Sequence, residues 1–357
     1  MIKYLQIKGL NGSERPLEFN FNEDLNLFTG LNGCGKTTIL KVLWFVNSGK
    51  ISDFLYEIDF TYLKIISDKY EIEITNNGEV YKTKWKTETH SDKQDLPIVT
   101  DGLIRKRSVM DFNKNFYPDS ENSIFFPTFR RIEGGFSMEN RSPRLFKKGS
   151  FPLKEALSDL SEELSSEKHL FIASVSTDDI TSLLNREYSS IVREIDELQR
   201  NQFDAIRNRI KNKKEEQNSD MILNSIESDI LAVEKSREEK LKPFSVLGDL
   251  INQIFQKKGI TMDNIGFGSG SNIISSDKLS AGEKQMLSFL CYNTFSKNKV
   301  IFIDEPELSL HPDWQRLLIP TLLKQGNSNQ FFIATHSPFI YTKYPDKEIV
   351  INSDKGE

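Results

Sequence analysis

The stretch Gly30-Leu31-Asn32-Gly33-Cys34-Gly35-Lys36-Thr37 limits what this chain can fold into more than any other. Four residues separate Gly30 from Gly35-Lys36-Thr37, the spacing of a phosphate-binding loop. Leu25-Asn26-Leu27-Phe28-Thr29 precedes it and reads as a strand. An apolar run at 38–46 follows and reads as a helix. A strand–loop–helix of this kind turns backbone N–H groups and a helix N-terminus toward one point, where they attract phosphate oxygens. Asn32, Gly33, Cys34, Gly35, Lys36, Thr37 and Thr38 are therefore the expected nucleotide-binding residues. Lys36 should reach the β- and γ-phosphates, and Thr37 should ligate magnesium (Mg2+). A bare glycine turn would leave the Lys-Thr pair without a reason. Cys34 needs only to be small there, and no redox role is expected of it.

Three further stretches complete a site. Val300-Ile301-Phe302-Ile303 is an uninterrupted apolar run followed by Asp304-Glu305-Pro306. Such a run suits a strand buried on both faces of a parallel sheet, with ligands at its C-terminal end. Asp304 is the expected magnesium holder and Glu305 the general base that polarises the attacking water. Alone, the same residues could be a strand and a solvated acidic turn. Leu279-Ser280-Ala281-Gly282-Glu283-Lys284-Gln285 precedes an apolar helical run at 286–295. Ser280 with Glu283 three positions on is a capping-box pattern, so this could be a helix start and nothing more. Its functional reading is that Ser280, Ala281 and Gly282 offer a hydroxyl and free N–H groups to the γ-phosphate of a second subunit. His336, after the apolar run at 330–333, is placed to touch the γ-phosphate and is the second expected catalytic residue beside Glu305.

These elements, in this order, resemble the ATP-binding-cassette (ABC) ATPases. Residues 279–285 resemble their signature motif, residues 307–310 their D-loop, and His336 their switch histidine. Within that superfamily the chain resembles the SMC/RecF and overcoming-lysogenization-defect group. The tracts Asp304-Glu305-Pro306-Glu307-Leu308-Ser309-Leu310-His311-Pro312 and Phe126-Pro127-Thr128-Phe129-Arg130-Arg131-Ile132-Glu133 carry that likeness. One departure stands out: the N-terminal half offers no convincing Q-loop glutamine, and the segment 127–131 is its stand-in. The resemblance implies an α/β fold: a P-loop NTPase with an ABC-type head, that is, a mixed sheet plus an antiparallel β portion, and an inserted helical or short coiled-coil subdomain. It also implies ATP and Mg2+ as ligands, and a homodimer or higher homo-oligomer that sandwiches ATP.

The order of motifs divides the chain into an N-terminal part of the head (1–152), a helical insertion (153–243) and a C-terminal part of the head (244–357). In the first, strands are expected at 3–9 and 25–29 around a turn at Asn11-Gly12. A hairpin is expected at 70–75 and 80–85, flanking Asn76-Asn77-Gly78. Residues 88–122 are polar and read as an irregular surface loop. In the insertion, Leu184, Tyr188, Ile191, Ile195 and Leu198 follow 4-3-4-3 spacing, and Ile222, Ile226, Ile230 and Val233 mark a second helix. The polar stretch 212–219 would fold the two back on each other, giving an arm of ~45 Å or a subdomain packed on the head. Pro243 is expected to end the second helix, and residues 244–255 to return toward the head. Residues 266–271 read as a flexible lead-in to Ser280.

Composition narrows the function classes. A net charge of −5 argues against a globally basic nucleic-acid coat but leaves local patches open, at 105–107, 130–131 and 141–148. The two cysteines, Cys34 and Cys291, show no metal or disulfide spacing and suit a reducing cytoplasm. No uncharged apolar run reaches the ~18 residues of a membrane span, and the first residues read as a strand, not a secretion signal. Related overcoming-lysogenization-defect nucleases continue into a Toprim domain after the histidine, so this chain is expected to be the ATPase half alone. The resemblance extends to ATPase subunits of antiphage systems such as PARIS and Septu. It implies a switch that holds a separate nuclease effector until DNA or a phage protein triggers release. The alternatives are a repair ATPase resembling RecF, which clamps DNA, and a transporter subunit, against which the inserted helices and the missing Q-loop weigh.

Overall fold

The computed structural model describes residues 1–51, 55, 57–78, 80–88, 91–97, 120–128, 159–173, 177–211, 219–255, 261–263, 266–269, 272–273 and 279–351. They fall into two compact units. One comprises Met1–Ser176, Ala281–Met286 and Ser296–Glu357, the other Thr177–Ser280 and Leu287–Phe295.

The first unit contains two six-stranded sheets. One is antiparallel, built from β1 (Ile2–Lys8), β2 (Leu17–Asn20), β4 (Tyr62–Ser67), β5 (Tyr70–Asn76), β6 (Val80–Thr87) and β7 (Ser91–Pro97) in the order β2-β1-β4-β5-β6-β7. Its strands alternate: Leu63, Ile65, Ile72, Ile74, Tyr81 and Trp85 are buried while Lys64, Glu71, Glu73 and Lys84 point outward. The expected hairpin is β5–β6, and the Asn76 side chain accepts from Gly78 N–H at 2.9 Å within its turn. Two readings need correction. The stretch 88–122 is not wholly irregular, because Ser91–Pro97 pairs with β6 from Lys86↔Ser91 to Val80↔Pro97. Ser-Asp-Lys-Gln-Asp carries no apolar alternation, so only the pairing reveals this strand; residues 98–119 lie outside those described. Between the two strands expected near the N-terminus, the chain also inserts β2.

The other sheet is parallel throughout. It holds β3 (Leu25–Thr29), β8 (Ser123–Phe126), β9 (His169–Phe171), β13 (Val300–Asp304), β14 (Gln330–Ala334) and β15 (Glu348–Val350), ordered β15-β3-β14-β13-β8-β9. Every residue of β3, β8, β13 and β14 is buried, as expected for strands covered on both faces. An aromatic ladder crosses five of them: Phe171–Phe125–Phe302–Phe332–Phe28, with ring centroids 5.4, 6.0, 5.3 and 6.3 Å apart. Helix α1 (Lys36–Asn47) follows β3 and joins one hydrophobic cluster with residues of both sheets, among them Leu5, Ile65, Ile72, Leu43, Trp44 and Phe302. Gln330, fully buried, ties the sheets together: its amide accepts from Ile2 N–H at 2.8 Å and donates to Ile2 O at 2.7 Å and Asn22 O at 2.8 Å.

The second unit holds α2 (Thr177–Lys211), α3 (Ser219–Phe255) and a small sheet of β10 (Thr261–Asp263), β11 (Gly266–Ser269) and β12 (Asn272–Ile273). The helices run antiparallel: Tyr188 meets Phe244 edge-on at 5.6 Å, and further along Glu194 pairs with Lys240 at 2.5 Å. Pro243 does not end α3, which continues twelve residues beyond it to Phe255. Proline removes one hydrogen bond from the helix, but Phe244, Leu247, Leu250 and Ile251 are buried and hold the next turns in place. Gly266–Ser269, read as a flexible lead-in, is instead the central strand of the small sheet. Ile195 of the expected stripe is buried, but Leu198 is exposed.

Candidate nucleotide site

The site grows from the C-terminal ends of three adjacent strands. β14 lies between β3 and β13, and its register puts Ala334 level with Phe28 on one side and Asp304 on the other. Thr335 N–H donates to Phe28 O at 3.0 Å, and Glu305 N–H donates to Ala334 O at 2.8 Å. Three loops therefore start from one level: the phosphate loop, the acidic turn and the histidine loop.

The phosphate loop enters α1 through Gly35 at φ +98, a left-handed conformation that favours glycine. Lys36 is 4% exposed, and its ammonium donates to Gly30 O at 3.2 Å and Leu31 O at 3.0 Å, with Cys34 Sγ at 3.8 Å and His336 Nδ1 at 3.5 Å. Thr37 Oγ1 donates to Asp304 Oδ1 at 3.0 Å, and Thr128 Oγ1 donates to Asp304 Oδ2 at 2.5 Å. Burial pushes the Asp304 carboxyl above the usual carboxylate range, and the two threonine hydroxyls pull against that shift. A hydroxyl and a carboxylate are hard oxygen donors that suit Mg2+, which takes few protein ligands and keeps waters and substrate phosphates. Among the described residues there is no group of three His, Cys, Asp or Glu that could hold a metal ion.

Glu305 leaves β13 in a left-handed conformation, φ 47 and ψ 58. Such backbone strain in a non-glycine residue costs energy and gathers at functional sites. It sends the side chain toward His336, whose Nε2 lies 3.9 Å from Glu305 Oε1. The histidine loop is held by Glu307, which accepts from His336 N–H at 2.5 Å and from Thr335 Oγ1 at 2.8 Å. Gln315 braces the same region, donating to Leu310 O at 2.7 Å and accepting from Ser337 Oγ at 2.5 Å.

Asn32, Gly33, Gly35, Lys36, Thr37 and Thr38 line a cavity of about 530 Å³. Glu305 and His336 line it too, with Asn11, Glu307 and Leu308. Asp304 joins them through Thr37, and Cys34 through Lys36. Ala281 and Gly282 are not among the lining residues. They open helix α4 (Ala281–Thr294), with the exposed Ser280 just before it. Gly282 packs so closely on the 306–309 turn that a Cβ there would sit 2.2 Å from Ser309 O. Sequence reading missed Asn11, the Glu307 clamp and the Thr128 bond. For Thr128 a signal existed, since it belongs to the segment standing in for the Q-loop. For Glu307 the signal was the second carboxylate of Glu-Pro-Glu.

A phosphate loop on a parallel sheet, with an acidic strand end one strand removed, defines an ATPase fold. The chain belongs to the AAA ATPase domain family, whose model matches residues 1–341. An endonuclease GajA of Bacillus cereus strain HuB5-5 is 24% identical over 396 aligned positions, covering 95% of this chain and 55% of that protein. The chain thus spans about half the length of that relative. A retron Ec83 probable ATPase of Escherichia coli is 35% identical over 74 positions, 17% of this chain and 14% of that protein. The SMC head domain from Thermotoga maritima superposes with a TM-score of 0.39 at 14% identity, over 96% of this chain and 91% of that one. Among the described residues, no helix is long and apolar enough to cross a membrane.

Proposed function

We propose that this chain binds ATP in the 530 Å³ cavity and hydrolyses it as a molecular switch. The observation that carries the reading is the convergence of Lys36, Thr37, Glu305 and His336, from three separate loops, on one cavity. Lys36 and the loop N–H groups hold the β- and γ-phosphates. Thr37 and Asp304 hold Mg2+, which when bound neutralises phosphate charge. Glu305 takes a proton from the attacking water; the water oxygen bonds to the γ-phosphorus as the β–γ bridge breaks, and ADP leaves. His336 orients the γ-phosphate, and the Glu307 clamp holds its loop.

In this reading two chains close over two ATP molecules, with Ser280, Ala281 and Gly282 of each meeting the γ-phosphate of the other. ATP then drives association, and hydrolysis releases it. We further propose that the switch acts in the cytoplasm in antiphage defence and restrains a separate nuclease effector; the likeness to proteins named as an endonuclease and as a retron probable ATPase supports only the association of such an ATPase with nuclease-linked systems. Mixing provides the test. Lys36→Ala and Ser280→Arg chains should each be inactive, yet together recover part of the ATPase activity, because one site of the mixed dimer is intact. No recovery, with mixed dimers present, would remove the sandwich.

One observation favours a second reading, that the paired heads hold DNA. Lys82, Lys84 and Lys86 are exposed in a row on the outward face of β6. Replacing all three with glutamine should abolish any salt-sensitive, ATP-dependent DNA binding.

A further inference from the structure

Asp304 is 3% exposed, and each of its carboxylate oxygens receives a different hydroxyl. Thr37, in the first turn of α1, bonds Oδ1; Thr128 bonds Oδ2. Thr128 reaches that position because β8 runs parallel to β13 with Phe126 level with Ile303, so the chain two residues beyond β8 passes the end of the neighbouring strand. The last torsion of an aspartate is broad, and one hydrogen bond leaves its carboxylate plane free to turn. Two bonds, on separate oxygens and from separate segments, fix that plane. The Thr37 oxygen retains lone pairs for a cation while its proton stays on Oδ1, and Thr128 keeps Oδ2 in place.

We propose that Thr128 is a positioning residue for the divalent cation, its hydroxyl holding Asp304 so that Oδ1 and Thr37 Oγ1 face the cation together. The proposal rests on the nucleotide reading above. Outer hydrogen bonds of this kind typically change metal affinity by ~10–100-fold when removed.

The experiment measures binding of a non-hydrolysable ATP analogue to the purified full chain as Mg2+ is titrated, and again in EDTA. Thr128→Val removes the hydroxyl and keeps the shape. It should raise the Mg2+ concentration at half-effect by ~10-fold or more and leave EDTA affinity unchanged. Thr128→Ser should restore the Mg2+ response. If valine does not fold, Thr128→Ala carries the same expectation. A Mg2+ midpoint unchanged in the valine or alanine variant, or no restoration by serine, overturns the proposal while leaving the nucleotide site standing. Wild-type protein that binds the analogue at no Mg2+ concentration overturns both.

Discussion

Removing the Glu307 carboxylate should loosen the histidine loop and lower both stability and turnover. Glu307 sits in the 306–309 turn after β13, and its two oxygens take His336 N–H at 2.5 Å and Thr335 Oγ1 at 2.8 Å. A hydrogen bond to a charged group contributes ~1.5–3 kcal/mol. Both bonds are only partly buried, so water replaces some of the loss, and Glu307→Ala should cost about 2 kcal/mol. At ~2–4 °C per kcal/mol for a unit of this size, the nucleotide-free protein should melt roughly 4–8 °C lower. Glu307→Gln is the control. Its amide oxygen can still accept from His336 N–H, and the Thr335 hydroxyl can turn to accept from the amide nitrogen, so it should lose less than ~1 kcal/mol. Scanning calorimetry measures the first effect and steady-state phosphate release the second. An alanine variant that melts and turns over like wild type would refute the clamp. So would a glutamine variant as unstable as the alanine one.

Other expectations follow from the same geometry. Lys36→Ala should abolish measurable ATP binding by calorimetry; retained affinity would remove Lys36 from the phosphate site. Glu305→Gln should bind ATP but release phosphate ~10²-fold more slowly, checked under single-turnover conditions. Gly282→Ala should cost about 1–3 kcal/mol, because its new methyl meets the Ser309 carbonyl and the backbone must move; urea unfolding measures it. His169 is buried between Ser120 and Ser123, and burial, with Lys168 and Lys299 nearby, lowers its pKa from 6.5 to about 3. The unfolded chain takes up that proton below pH 6.5 and the folded one does not, so stability is full above pH 6.5 and falls by up to ~1.4 kcal/mol per pH unit toward pH 3. Urea midpoints between pH 7 and 5 should fall less steeply in His169→Gln than in wild type.

The phosphate loop and the acidic strand were legible because local chemistry dictates them. Only glycine suits the turn into α1, and Val300-Ile301-Phe302-Ile303 can be buried on both faces. Less legible was what arises between distant segments. Nothing in residues 330–334 says that this strand inserts between β3 and β13 and brings His336 beside Lys36. Strand β7 has a polar sequence and exists through its pairing with β6. Pro243 reads as a stop, yet burial of the next turn outweighs one lost hydrogen bond. Thr128 and Glu307 gain their partners only once two strand ends are side by side.

The strand order also sets a timetable. The antiparallel sheet is complete within the first 97 residues and pairs mostly with near neighbours in the chain. β3 is different: its partners are β14, starting at Gln330, and β15, starting at Glu348. A ribosome adding ~5–20 residues per second needs roughly 15–60 s to make the chain between them. Throughout that interval Leu25–Thr29 emerges with both edges unpaired, and the loop behind it has neither Asp304 nor His336. A nucleotide can stabilise only a form that already binds it, so ATP gives no help to the nascent chain. Protection of that early strand falls to the antiparallel sheet, to α1, or to a chaperone.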